Sequence, residues 1–139
     1  MSRNEFELKT NEQIILMRKA GLITAAALDA VRAAIKPGVS TLELDRIANE
    51  TIEALGAKSN FKLVAGYHHT ICASINDEVV HGIPSSNRIL EAGDLISIDA
   101  GAIIDGWNGD SAISVVVPGG DPKISAARER VSRVTEMSL

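Results

Sequence analysis

Apolar residues near the start of the chain recur at the spacing of an amphipathic helix. Thr10, followed three residues later by Gln13, has the pattern of a helix capping box and predicts a helix that runs to about Ile35. Pro37-Gly38 ends this helix, because neither residue continues helical backbone well. The apolar stripe comprises Ile14, Ile15, Met17, Leu22, Ala25, Ala26, Leu28 and Val31.

Two further helical segments are predicted. Ser40 and Glu43 form a second capping box, which opens a helix that ends at Gly56. Its apolar positions are Leu42, Ile47, Ile52 and Leu55. Segment 123–139 is also helix-like and follows a proline- and glycine-containing break in the pattern.

Between these helices, short runs rich in isoleucine and valine predict two antiparallel hairpins. The paired segments are 70–75 with 78–83, and 95–104 with 107–117. Asn76-Asp77 would form the first turn, and Asp105-Gly106 is typical of a type I′ turn. The elements together predict an α/β (α+β) fold.

The second predicted hairpin brings two aspartates together. A two-residue turn at Asp105-Gly106 places Asp110 opposite Gly101 and Asp99 opposite Ala112, so the two acids share one face. As diagonal neighbours their α carbons lie about 7–8 Å apart, and Gly101 would leave the space between them open. The other face is apolar and comprises Ile96, Ile98, Trp107, Ile113 and Val115.

This pair of aspartates indicates a metal site. Two converging carboxylates repel each other, and a divalent cation removes that cost. The alternative is that Asp99 and Asp110 are solvated strand residues, although aspartate is disfavoured in strands.

His81 has several interpretations from the residues alone. In the first predicted hairpin it stands opposite Cys72. It could be a buried core histidine, a catalytic group, or half of a Cys-His zinc pair that lacks two further ligands at zinc-site spacing. His68-His69 is predicted to lie in a loop.

Composition narrows the class of protein. The 139 residues, 45% of them hydrophobic, suffice for one domain, and a net charge of -4 provides no basic field for nucleic acid or anionic membrane. The single cysteine, Cys72, excludes an internal disulfide. The start, Met1 to Glu7, carries acids where a signal peptide has bases, so a cytoplasmic protein is expected.

Several segments together resemble the type I methionine aminopeptidases. The fourteen residues 71–84, which include His81, closely resemble the signature of that family. Segments 93–99 and 105–111 match its first metal-binding hairpin, and segments 18–21 and 36–41 also fit. The resemblance implies the pita-bread fold, with residues 1–139 forming the N-terminal half of a catalytic domain whose C-terminal half is absent.

The same resemblance implies roles for individual residues. Asp99 would bind one divalent ion and Asp110 would bridge two, with Co, Mn, Fe or Zn as the possible metals. His81 would contact the substrate and stabilise the transition state. Cys72, Tyr67 and Phe61 would line a methionine pocket.

The implied activity is metal-dependent removal of the initiator methionine, through a metal-activated water, from nascent proteins with a small second residue. The substrates would be nascent polypeptide N-termini at the ribosome. The family's metal set adds one histidine and two glutamates, and no histidine follows His81, so this chain is expected to be inactive alone. The alternatives are a non-catalytic pita-bread relative that acts as a binding module, and a proline-specific aminopeptidase.

Overall fold

A computed structural model describes residues 8–138. The elements in chain order are α1 (Asn11–Ala34), α2 (Thr41–Ala54), β1 (Lys58–Ser59), a 3-10 turn (Phe61–Leu63), β2 (Ile71–Ile75), β3 (Leu95–Ile104), β4 (Trp107–Val116) and α3 (Pro122–Met137). The predicted α+β class is confirmed. The charged start at Met1 to Glu7, and Leu139, lie outside the described residues.

The helix boundaries follow the predicted caps. The Thr10 side chain accepts from the Gln13 backbone, and the Gln13 side chain accepts from the Thr10 backbone, so the capping box is complete. At α2 the Ser40 hydroxyl accepts from the Glu43 backbone amide, but the Glu43 carboxylate binds Arg46 instead, so only half of the predicted capping box forms. Within residues 8–138, none of the helices combines the length and apolarity needed to span a membrane.

The sheet is built around β3, which pairs with β4 along one edge and with β2 and then β1 along the other. The hairpin of β3 and β4 has the predicted register. Asp99 lies opposite Ala112, and Gly101 lies opposite Asp110. Asp105 and Gly106 both have positive φ, as a type I′ turn requires.

The first predicted hairpin is wrong. Segment 78–83 forms no strand, and β2 pairs with β3 instead, which places Cys72 opposite Asp99 rather than His81. The chain does reverse at Asn76, but His81 then adopts a left-handed backbone with φ of 60°, which is incompatible with an extended strand. The returning segment still contacts β2, for example through a hydrogen bond of 2.8 Å from the Ala73 amide to the Gly82 carbonyl.

Both long helices pack on one face of the sheet. The fully buried side chains of this core include Val31, Leu44, Ile71, Ile96 and Ile98. Gly109 on β4 is pressed against α1, because a Cβ there would lie 2.5 Å from the Ala20 carbonyl carbon. Since side chains alternate across a strand, the opposite face carries Asp99 and Asp110.

Candidate metal centre and substrate pocket

The two aspartates occupy the face of the sheet that the helices do not cover. Asp99 is partly buried, whereas Asp110 is exposed. Burial raises the pKa of Asp99 above its ordinary value, and the negative charge of Asp110 raises it further, while His81 opposes both effects. A divalent cation between the two carboxylates would relieve this cost, so the donor chemistry suits a hard cation.

The sequence suggested that the space above Gly101 is open, but in the structure this space is filled. A Cβ at Gly101 would lie 2.1 Å from Asn60 Oδ1, so the glycine makes room for the Asn60 amide. Asn60 Nδ2 donates to Asn108 Oδ1 at 3.2 Å, and the Asn60 backbone amide donates to the Gly101 carbonyl at 3.3 Å. Asn60 therefore fastens the loop that follows it to the hairpin of the two aspartates.

A cavity of about 360 Å³ lies beside Asp99. Its lining comprises Phe61, Val64, Tyr67, Cys72, His81, Ile83 and Asp99. Five of the six residues singled out from the sequence thus surround one space of the size that small ligands occupy. Asp110 lies outside this lining, on the neighbouring strand.

The sequence analysis did not identify two residues that line the cavity, Val64 and Ile83. Val64 lies in the loop after the 3-10 turn, and Ile83 lies two residues beyond His81. Both side chains are exposed at the rim of the cavity. An isolated apolar residue in a loop has no periodic pattern that would have marked it.

Tyr67 and Cys72 form an uncharged wall of the cavity. The Tyr67 hydroxyl donates to the Ile71 carbonyl at 2.6 Å and lies 3.3 Å from Cys72 Sγ. Burial raises the pKa of both the phenol and the thiol, so both stay protonated at neutral pH. The Phe61 ring packs edge-on against Tyr67, with centroids 6.4 Å apart.

The loop that carries Tyr67 is bound to helix α2. Asp45 Oδ1 accepts from the backbone amides of Thr70 at 2.7 Å and Ile71 at 3.0 Å. His69 lies in a loop, as predicted, with Nδ1 3.4 Å from the other Asp45 oxygen. Sequence reasoning missed Asp45, because an acid on an amphipathic helix ordinarily belongs to the solvated face.

Among residues 8–138, no group of three or more histidine, cysteine, aspartate or glutamate side chains is arranged to hold a metal ion. Asp99 and Asp110 are the acidic pair that the register brings to one face.

Known proteins resemble this chain along most of its length. Residues 15–139 match the model of metallopeptidase family M24. Methionine aminopeptidase 1 of Mycobacterium tuberculosis is 51% identical over 123 residues, which cover 88% of this chain and 45% of that protein. Methionine aminopeptidase 1 of Bacillus subtilis is 46% identical over 131 residues, which cover 94% of this chain and 51% of that protein.

Solved structures give the same result. The methionine aminopeptidase of Thermotoga maritima superposes with a TM-score of 0.88 at 35% identity, covering 96% of this chain and 52% of that one. A prolidase from Pyrococcus furiosus superposes with a TM-score of 0.72 at 26% identity, covering 86% and 34%. The chain spans about half the length of the curated relatives it matches. The chain belongs to metallopeptidase family M24, has its pita-bread fold, and matches the type I methionine aminopeptidases within that family.

Proposed function

We propose that this chain supplies one half of the active site of a methionyl aminopeptidase. The reaction is hydrolysis of the first peptide bond of a nascent protein, which releases the initiator methionine when the second residue is small. The observation that carries the proposal is the single cavity that joins Asp99 and His81 to the uncharged wall of Tyr67 and Cys72. The names of the relatives support the same activity.

Asp99 and Asp110 would hold divalent cations, two in the complete site. Carboxylate sites of this kind accept Co, Mn, Fe or Zn. Bound cations supply Lewis acidity that activates water and polarises the peptide carbonyl. Two carboxylates leave most coordination positions unfilled, so further ligands would come from the second half of the catalytic domain, which we propose completes residues 1–139.

The cavity wall suits a methionine side chain. Phe61 and Tyr67 offer aromatic edges, and Cys72 offers a polarisable sulfur, both of which pack favourably with a thioether. The protonated phenol and thiol put no charge against this apolar side chain. The wall therefore favours methionine over a charged N-terminal residue.

His81 would act on the substrate rather than on the metal. Its side chain borders the cavity together with Asp99, and it lies in a loop outside the strands that carry the two aspartates. An imidazole here can donate a hydrogen bond to the substrate carbonyl as negative charge develops on the oxygen. The substrates would be nascent N-termini at the ribosome, and the enzyme would act in the cytoplasm.

The proposal is tested with the chain and a second half of the catalytic domain produced together. Methionine release from Met-Ala-Ser is measured with added Mn²⁺ or Co²⁺ and compared with hydrolysis of an Xaa-Pro peptide. We expect release of methionine only, and its loss in Asp99→Asn and Asp110→Asn. Asp29→Asn, at an exposed position of α1, is the matched control and should retain activity.

Two results would overturn the proposal. Cleavage of the Xaa-Pro peptide in preference to Met-Ala-Ser would assign the site to a proline-specific enzyme. Binding of peptide without hydrolysis in the assembled protein would favour a non-catalytic binding module.

A further inference from the structure

The segment that presents His81 is a loop under conformational constraint. His81 has a φ of 60°, in the left-handed region that residues with a Cβ rarely adopt. Such a backbone persists only where the surrounding structure fixes it. The imidazole is exposed, so its own packing does not supply that fixation.

One set of contacts holds the residue after His81. The Gly82 amide donates to Ser74 Oγ at 3.0 Å, and the Gly82 carbonyl accepts from the Ala73 amide at 2.8 Å. These bonds tie a single point of the loop to β2. The loop on either side of that point needs its own support.

Arg88 supplies this support on both sides of His81. Its Nη1 donates to the Ala73 carbonyl and to the Ile83 carbonyl, each at 3.2 Å. Its Nη2 pairs with the carboxylate of Glu78, three residues before His81. One guanidinium therefore binds β2, the start of the loop and the end of the loop.

Arg88 and Glu78 are each held in place by a further hydrogen bond to the backbone. The Arg88 carbonyl accepts from the Thr41 amide at 2.9 Å, at the beginning of α2. Glu78 Oε2 also accepts from the Ile75 amide at 2.7 Å, at the end of β2. The side chain of Arg88 is only 25% exposed, so water competes weakly for its hydrogen bonds.

We propose that Arg88 is a positioning residue that holds the His81 loop in its left-handed conformation and so aims the imidazole at the cavity. The role of His81 in this statement rests on the proposed function. A planar guanidinium can donate in three directions at once, whereas lysine offers a compact point charge. Lysine should therefore replace Arg88 only in part.

The kinetic test compares Arg88→Met, Arg88→Lys and the control Arg46→Met in the complete enzyme. Arg46 also pairs with carboxylates, Glu43 and Glu50, but on the exposed side of α2. A displacement of a catalytic group by about 1 Å costs on the order of a hundredfold in rate. We expect Arg88→Met to lower kcat on that scale with KM and metal content nearly unchanged, Arg88→Lys to recover part of the loss, and Arg46→Met to behave as wild type.

A second measurement is independent of catalysis. Amide hydrogen exchange in the full 139-residue chain should be faster at residues 78–83 in Arg88→Met than in wild type, while exchange in α1 stays the same. Unchanged exchange at 78–83 would overturn the positioning role whatever the enzyme does. Faster exchange without any loss of kcat would show that the loop is held by Arg88 but that His81 does not act on substrate, which separates failure of the proposed function from failure of this inference.

Discussion

Replacement of Gly82 by alanine is the sharpest available perturbation of the His81 loop. A Cβ at this position would lie 2.2 Å from the Ala73 carbonyl oxygen, 2.7 Å from its carbon and 2.9 Å from the Ser74 α carbon. All three are backbone atoms of β2, which cannot rotate away as a flexible side chain could. Ordinary contact begins at 3.4 Å, so the loop has to retreat by about 1 Å.

The expected cost follows from this displacement. Retreat of the loop weakens the two hydrogen bonds between Gly82 and β2, each of which contributes about 1 kcal/mol. Steric strain in a packed site adds about 1–3 kcal/mol. We expect the free energy of unfolding to fall by about 2–4 kcal/mol. Movement of His81 by about 1 Å should lower kcat roughly a hundredfold.

Denaturant unfolding of the chain and steady-state kinetics of the complete enzyme measure the two effects. Gly21→Ala is the matched control, because no atom lies within 4 Å of a Cβ at that helical position. It should be neutral or raise the free energy of unfolding by about 0.5–1 kcal/mol. Wild-type stability and kcat in Gly82→Ala would refute the close packing of the loop on β2. A loss of stability without a loss of kcat would refute the dependence of catalysis on the position of His81.

Three further predictions concern the site itself. His81→Ala in the complete enzyme should lower kcat a hundredfold or more while metal content by mass spectrometry stays unchanged; loss of metal would make His81 a ligand. Because burial raises the folded-state pKa of Asp99, wild type should lose stability relative to Asp99→Asn as pH rises from the ordinary aspartate pKa through the raised folded value. Urea unfolding of the metal-free chain at acidic and neutral pH checks this, and a pH-independent difference would contradict it. Residues 1–139 alone should release no methionine from Met-Ala, and release on addition of the second half would be seen by chromatography; an active isolated chain would overturn the assignment of the absent ligands.

The hairpin of the two aspartates was predictable because its information is local. Asp105-Gly106 fixes a two-residue turn, and a turn of known length determines every pairing along both strands. The shared face of Asp99 and Asp110 follows from that register. The helix caps at Thr10 and Ser40 were predictable for the same reason, since each cap joins residues three apart.

The partner of β2 was not predictable from the residues alone. Asn76-Asp77 does turn the chain, and the Ala73 amide of β2 does donate to the Gly82 carbonyl, but the left-handed backbone of His81 prevents segment 78–83 from forming a strand. Pairing between segments more than twenty residues apart leaves no local pattern. Cys72 and His81 both line the cavity, but the predicted pairing of the two across a hairpin was wrong.

The residues that hold the loops of the site in place were also not predicted from the sequence. Asn60 packs against Gly101, and Asp45 binds the loop that carries Tyr67, each from a distant part of the chain. Arg88 binds the nearby His81 loop and also Ala73 of β2, 15 residues away. Each is a polar residue in a loop or on an amphipathic helix, where polar residues are common. Their roles depend on which backbone groups the fold leaves to be satisfied, and that is determined by the assembled structure.

The central claim is that Asp99 and Asp110 form one cation site, and calorimetric titration with Mn²⁺ tests it most directly. Wild-type chain, Asp110→Ala and the exposed-site control Asp29→Ala are titrated under the same conditions. Two carboxylates leave most coordination positions to water, so we expect weak but saturable binding to wild type and to Asp29→Ala. The binding heat should disappear in Asp110→Ala. Equal heats from wild type and Asp110→Ala would contradict the assignment of the site.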